Sequence, residues 1–189
     1  MVRLSVAEGG VDLSRVRIFF QDESRMGLTV ILRKVLTLRG VKPVGSFQHR
    51  FENFYLYGAV EPATGQRFSL ELPYLNATMF QLFIDEFSKA FADTTNIMVV
   101  DNGRSHIAKS LQVPKNIKFI FLPPYSPELN PIERLWQFIK DKLSLGVFNN
   151  LEGIQIRLDE ILNKLTDFEV RSITGYQYII DAVNALSVI

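Results

Sequence analysis

Three carboxylates stand where this sequence would place chemistry. Asp22 directly follows an apolar run ending Arg-Ile-Phe-Phe-Gln, and Asp101 directly follows Ile-Met-Val-Val. Glu133 falls in the first turn of an expected helix, and 79 and 32 positions separate the successive acids. Acids that converge repel one another unless cations lie between them. Two divalent ions about 3.5–4 Å apart relieve that repulsion and can clamp the attacking and leaving oxygens of a phosphoryl transfer. The chain has no cysteine and only two histidines, His49 and His106. That excludes thiolate zinc sites, iron–sulfur clusters, disulfides and thiol catalysis, and leaves oxygen donors suited to magnesium, manganese or calcium.

The elements that must carry these acids follow from periodicity. Residues 15–21 and 28–36 read as strands, being rich in β-branched and aromatic residues. Residues 37–50 read as an exposed basic loop. Residues 54–60 and 67–72 make a hairpin across Glu61-Pro62-Ala63-Thr64-Gly65-Gln66. Asn76 caps a helix to about Phe91, whose apolar positions recur every three or four residues. Residues 97–100 and 117–122 are short apolar runs suited to strands buried on both faces. A short helix is expected over 105–111, one from Pro131 to about Leu143, and two more near 151–165 and 175–187. This order gives a mixed α/β fold with antiparallel and parallel parts in one sheet. In such sheets, ligands bind beyond the carboxyl ends of the strands.

Each acid also has a plainer reading. Asp22 and Asp101 suit turns, with Asp101-Asn102-Gly103 a strong turn signal. Asn130-Pro131-Ile132-Glu133 reads as a helix cap with a reciprocal glutamate, a capping box. On the helical wheel Glu133 flanks the apolar face made by Ile132, Leu135, Trp136 and Ile139, where a carboxylate can look into a cleft.

The 189 residues, 47% hydrophobic and 22% charged, fit one ordinary domain that needs no staples. Residues 1–60 carry nine basic and five acidic residues, against twelve and fifteen in the remainder. That is a basic edge on an acidic body, compatible with a polyanion but also with ordinary surface scatter. No apolar stretch reaches the roughly 18 residues of a membrane span, and the first ten residues lack a secretory core. The expected location is the cytoplasm.

The motifs themselves are familiar. Leu-Pro-Pro-Tyr-Ser-Pro-Glu-Leu-Asn-Pro-Ile-Glu-Arg-Leu-Trp (122–136) closely resembles the third-acid motif of the IS630/Tc1/mariner transposases. Val-Val-Asp-Asn-Gly-Arg-Ser-His (99–106) resembles the second, and Phe-Gln-Asp-Glu-Ser-Arg (20–25) the first. Gly40-Val41-Lys42-Pro43 and residues 53–60 are similar to the bacterial IS630 branch, and the likeness runs from about 16 to 165. The resemblance implies an RNase H-like fold: a mixed five-stranded sheet flanked by helices. It implies a DDE triad of Asp22, Asp101 and Glu133, holding Mg²⁺ or Mn²⁺, two ions in all. Glu23 also matches the first motif but points away from Asp22 in an extended strand.

The implied reaction is metal-dependent phosphodiester hydrolysis at transposon ends, freeing a 3′ hydroxyl for strand transfer into target DNA, commonly at a TA dinucleotide. Homodimerisation on DNA comes with the resemblance. His106 would touch the scissile phosphate or make a helix-start hydrogen bond. Arg104 and the basic residues Arg33, Lys34, Arg39, Lys42 and Arg50 are candidates for DNA-backbone contacts. Tyr125 is a candidate base-stacking platform, whereas Trp136 on its apolar stripe reads as core. The family's end-recognising helix-turn-helix domain is not recognisable here, so it would be encoded upstream, lost or removed. The expected organisation is a lead-in over 1–14, the catalytic domain over 15–165, and a helical extension of it over 166–189.

Two competing readings remain at this level. One is a catalytically silent DNA-binding or regulatory remnant that keeps the fold. The other is a carboxylate-pair hydrolase, which would survive chelation. A serine hydrolase is disfavoured, because Ser105 and His106 are adjacent and no Gly-x-Ser-x-Gly elbow exists.

Overall fold

The computed structural model describes residues 15–28, 39, 52–144, 146 and 148–187. Five strands form one sheet in the order β3-β2-β1-β4-β5: β1 (Val16–Gly27), β2 (Asn53–Val60), β3 (Arg67–Leu72), β4 (Thr95–Val100) and β5 (Ile117–Phe121). The β1–β2 and β2–β3 pairs are antiparallel; β1–β4 and β4–β5 are parallel. The candidate strand over 29–36 and most of the loop over 37–50 lie outside the described residues.

Strict alternation along β1 gives the sheet two apolar faces. Ile18, Phe20 and Met26 look one way, joined by Leu56 and Val99, into a core closed by α2 (Ile132–Leu143), α3 (Leu151–Lys164), α4 (Asp167–Thr174) and α5 (Gln177–Ser187). Phe19 looks the other way, with Tyr57, Met98 and Val100, onto α1 (Ala77–Ala90). There Phe80, Phe83 and Phe87 are fully buried, and Phe87 meets Phe19 edge-on at 4.9 Å.

Local signals explain most boundaries. The Asn76 side chain accepts the Met79 amide at 2.9 Å and starts α1. The β2–β3 turn closes with Gly65 in the left-handed region, at φ 84. The hairpin is held by Arg17, whose guanidinium grips Glu61 through two hydrogen bonds of 3.2 and 2.6 Å. Arg67 reaches from β3 to the Leu162 carbonyl at 2.9 Å and to that of Leu165, satisfying the open end of α3.

Four elements differ from the sequence reading. β1 does not stop at Gln21. It runs to Gly27, because β2 pairs with it all the way to Gly27↔Asn53. No helix forms over 105–111. Isolated turns replace it, since Asp101 captures the Gly103 amide and Pro114 bars continuation. A further helix, α4, lies between the two expected at the end of the chain. Thr166 and Glu169 cap it reciprocally, at 2.9 and 3.2 Å. Lastly, the capping box expected at Glu133 is absent. The Asn130 amide instead donates to the Gln21 carbonyl at 3.0 Å, and α2 begins without a side-chain cap. Among the described residues, no helix is long and apolar enough to cross a membrane.

Candidate active site

The parallel part of the sheet ends at Val100 and Phe121, and the first two acids lie at that edge. Asp22 sits within β1, two residues past its last pairing with β4 at Phe20↔Val99, so it is in mid-strand rather than at a strand end. It faces α2. Its register partner on β2 is Gly58. The missing side chain there admits the Trp136 ring: a Cβ on Gly58 would lie 2.4 Å from Trp136 Cη2. Seated on this glycine, the indole Nε1 donates to Asp22 Oδ2 at 3.1 Å. Trp136 is core, as its periodicity predicts, and it also fixes Asp22.

Asp101 leaves β4 into the turn. Its Oδ1 accepts the Gly103 amide at 2.7 Å and His106 Nδ1 at 2.6 Å, which leaves Oδ2 outward on a half-exposed side chain. His106 is buried, 3% exposed, against the Phe80 ring at 4.5 Å. Its Nε2 meets Glu23 Oε1 at 3.0 Å, and that oxygen also accepts from Gln21 Nε2 at 3.1 Å. Burial alone lowers the imidazole's basicity. The hydrogen bond and charge of Glu23, with those of Asp101, outweigh burial and raise it above the ordinary histidine value. When protonated, the ring donates to both carboxylates. Glu23 does point away from Asp22, as strand geometry demands, yet it belongs to the site through His106. Both ring nitrogens of His106 thus meet carboxylates, and no helix starts there for it to cap.

Glu133 is exposed on the first turn of α2, and among the described residues its carboxylate makes no hydrogen bond. Asp22, Asp101 and Glu133 line one cavity of about 460 Å³, with Asn102, Asn130 and the loop 122–127. Asn102 ties the two rims together by donating to the Leu122 carbonyl at 2.6 Å. The Asp22 carboxyl is pushed up to about 7, first by burial, then by the charge of Glu133 and Glu23, with a further push from Asp101. As placed, no three acidic or imidazole groups among the described residues meet closely enough to chelate an ion. The acids line the walls rather than form a finished cage, and Glu133 is the one left to rotate.

The donor set fits a hard divalent cation. It is all oxygen, burial and the neighbouring acids push its Asp22 carboxyl up to about 7, and it adjoins Asn130 Oδ1, a buried acceptor with no partner among the described residues. Arg104, exposed, lines an adjoining cavity of about 520 Å³ with Asp22, Glu23, Asp101 and His106. Tyr125 is fully exposed on the rim of the first cavity. Arg39 is exposed at a turn, while Arg33, Lys34, Lys42 and Arg50 lie outside the described residues.

With this geometry in view, the comparisons are unambiguous about family. The profile of the DDE superfamily endonucleases matches residues 17–155, and the chain belongs to that family. Its likeness extends to an IS630 insertion-element protein and to the Mos1 mariner transposase. It is 27% identical over 132 residues to the IS630 uncharacterized 39 kDa protein of Shigella sonnei, covering 67% of this chain and 38% of that protein. It is also 37% identical over 115 residues to the uncharacterized protein y4pE/y4sA of Sinorhizobium fredii, covering 60% of this chain and 85% of that one. Among solved structures, the Mos1 transposase paired-end complex with its left transposon end superposes at TM-score 0.64 and 20% identity, over 84% of this chain and 51% of Mos1. The Mos1 mariner paired-end complex with Mn gives 0.64 at 21%, over 86% and 52%. The chain thus spans about half the length of Mos1. The magnesium-bound catalytic core of HTLV-2 integrase gives 0.53 at 12%, over 87% and 99%. The five-stranded sheet and its helices are the RNase H-like fold of these catalytic cores.

The sequence reading missed Trp136 as the donor to Asp22, and His106 as the clamp joining Glu23 to Asp101. Gly58 opposite Asp22 was legible only once the β1–β2 register was known.

Proposed function

We propose that this chain is the catalytic domain of a DDE transposase, hydrolysing phosphodiester bonds at transposon ends and transferring the freed 3′ hydroxyl into target DNA. The observation that carries it is the meeting of Asp22, Asp101 and Glu133 on one cavity in a chain of this family, with Asp22 raised to about 7 by burial and its fellow acids. Those three side chains would hold two Mg²⁺ or Mn²⁺ ions. The ions supply Lewis-acid polarisation of the phosphate and neutralise its charge. The protein contributes placement. Trp136 holds one oxygen of Asp22, His106 and the Gly103 amide hold one oxygen of Asp101, and each acid keeps an oxygen for a ligand. Glu133, unspent on capping, closes the third side.

Arg104 at the rim supports backbone phosphate contact, as do the basic residues Arg33, Lys34, Arg39, Lys42 and Arg50. The partners in this reading are transposon-end and TA-containing target DNA, a second copy of the chain on that DNA, and a helix-turn-helix segment that recognises the transposon ends. The catalytic unit in this reading is residues 15–165, with 166–189 a helical extension of the same domain, which the place of Val170, Ile179 and Val183 in the core supports.

The test is Glu133→Gln in a Mg²⁺- or Mn²⁺-dependent nicking assay. Nicking is expected to fall on the order of a thousandfold, the several kcal/mol carried by a metal-held carboxylate. Since Glu133 caps nothing, melting is expected to move by about 2 °C at most. Nicking unchanged in the variant, or activity that survives chelation, would remove the assignment. No nicking by the parent chain would favour the silent remnant.

A further inference from the structure

Tyr125 is the one non-glycine among the described residues with a positive φ, at 58. An aromatic side chain in the left-handed region is held there against its preference, since its Cβ crowds the backbone. Such strain persists where the surrounding structure over-determines it. Here Pro123 and Pro124 precede it and Pro127 follows, which removes backbone freedom on both sides. Leu122 N bonds the Val100 carbonyl at 2.8 Å, Asn102 holds the Leu122 carbonyl, and Ser126 Oγ returns to the Pro124 carbonyl at 3.3 Å. A single 3₁₀ turn over Pro127–Leu129 anchors the far side.

The outcome is a ring 101% exposed, with no aromatic or cationic neighbour among the described residues. Folding gains nothing from such a side chain. An exposed tyrosine of this size buries no apolar area, and its backbone is less comfortable than a glycine's would be. What the loop achieves is to stand two open π faces on the rim of the cavity that holds Asp22, Asp101 and Glu133. The cavity wall beside it is acidic, so it repels a bare phosphate chain but not the uncharged face of a base. Every nucleobase has such a face, and stacking on a fixed aromatic does not depend on base identity.

We propose that Tyr125 is a stacking post for an unpaired nucleobase adjoining the scissile phosphate, positioning a frayed or branched DNA end over the three acids. The inference rests on the transposase reading above and specifies the DNA form the site prefers. It makes Tyr125 a substrate-contacting residue that acts through the base and takes no part in the chemical step.

The experiment measures dissociation constants by fluorescence anisotropy, using the full chain in Ca²⁺. Two probes of equal length are compared: a blunt duplex and the same duplex ending in a fork of unpaired nucleotides. The proteins are the parent, Tyr125→Phe, Tyr125→Ala and Tyr125→Gly, each with its melting temperature. The parent and Tyr125→Phe are expected to prefer the fork by roughly tenfold or more. Tyr125→Ala and Tyr125→Gly should bind fork and duplex alike, with duplex affinity unchanged. Tyr125→Gly should melt at or above the parent, because glycine relaxes the left-handed backbone. A fork preference kept in Tyr125→Ala overturns the proposal. So does a preference lost only together with melting temperature in both small variants, which would make the loss a folding effect. A parent that binds neither probe sinks the transposase reading itself, whereas a parent that nicks DNA and shows no fork preference sinks the tyrosine alone.

Discussion

At the scale of single residues, the site sets acids near one another around a partly buried carboxylate. Asp22 shows it most plainly. Its carboxyl rises from 3.8 to about 7, so between those values the folded chain holds a proton that the unfolded chain has released. Stability therefore falls as pH rises through that window, and the full cost is present only above about 7. Asp22→Asn removes the charge and leaves an oxygen for Trp136 Nε1. The variant is expected to melt with the parent near pH 4. At pH 8 it should melt several degrees higher, for a gain on the order of 2 kcal/mol once solvent screening of a half-buried group is allowed for. Thermal melts at the two pH values check this, and equal melting at pH 8 would show that Asp22 is not under this pressure. The three acids were legible as candidates through their motifs, although Asp22 lies in mid-strand and not at the strand end that first marked it. Their supports were not. Trp136 lies 114 positions from Asp22, and Glu23 lies 83 from His106, so only the folded register brings them together.

At the scale of elements, α2 reaches the site through one cross-strand position. Gly58 is opposite Asp22, and the Trp136 ring fills the space its side chain would take. Gly58→Ala puts a methyl 2.4 Å from Cη2, so the indole must shift off β2. Overpacking of this kind costs about 1–3 kcal/mol. The displaced indole also loses its bond to Asp22, so nicking should fall further than stability alone explains. Trp136 is the chain's one tryptophan, and a change in its intrinsic fluorescence would report the shift directly. An unshifted spectrum with normal melting would show that the glycine is not needed for the approach. Elements declared by local chemistry were readable in advance: the Asn76 cap, the Pro-Gly hairpin turn, the apolar stripe of α2. The extension of β1 was hidden because Gln-Asp-Glu-Ser-Arg is polar throughout in place of apolar alternation, and pairing with β2 keeps it extended. The start of α4 was readable in principle, since Thr-Asp-Phe-Glu is a capping-box pattern. The turns over 101–116 follow from a competition the sequence does not weigh, between helix formation and the capture of the Gly103 amide by Asp101.

For the whole molecule, the two apolar faces of the sheet are closed by α1 on one side and α2–α5 on the other, through apolar cores to which the three acids do not belong. In the reading proposed above, a metal held by Asp22, Asp101 and Glu133 would be a requirement of the reaction and not of the fold, unlike a structural zinc. Chelation with EDTA is expected to abolish nicking and to return the melting temperature to its metal-free value, with the circular dichroism spectrum in place. Adding Mg²⁺ should do the reverse to stability, because an ion that binds only the folded chain stabilises it by mass action, about 2.7 kcal/mol at a hundredfold excess over its dissociation constant. The gain should be larger at pH 8 than at pH 5, since below about 7 a proton competes for Asp22. In Asp22→Asn and Glu133→Gln, the Mg²⁺-dependent rise should shrink or vanish, although neither variant lacks anything the cores require. Melting curves across a Mg²⁺ titration at both pH values decide it. A parent chain indifferent to Mg²⁺ at pH 8 would mean that the acids, although they share a cavity, do not share an ion.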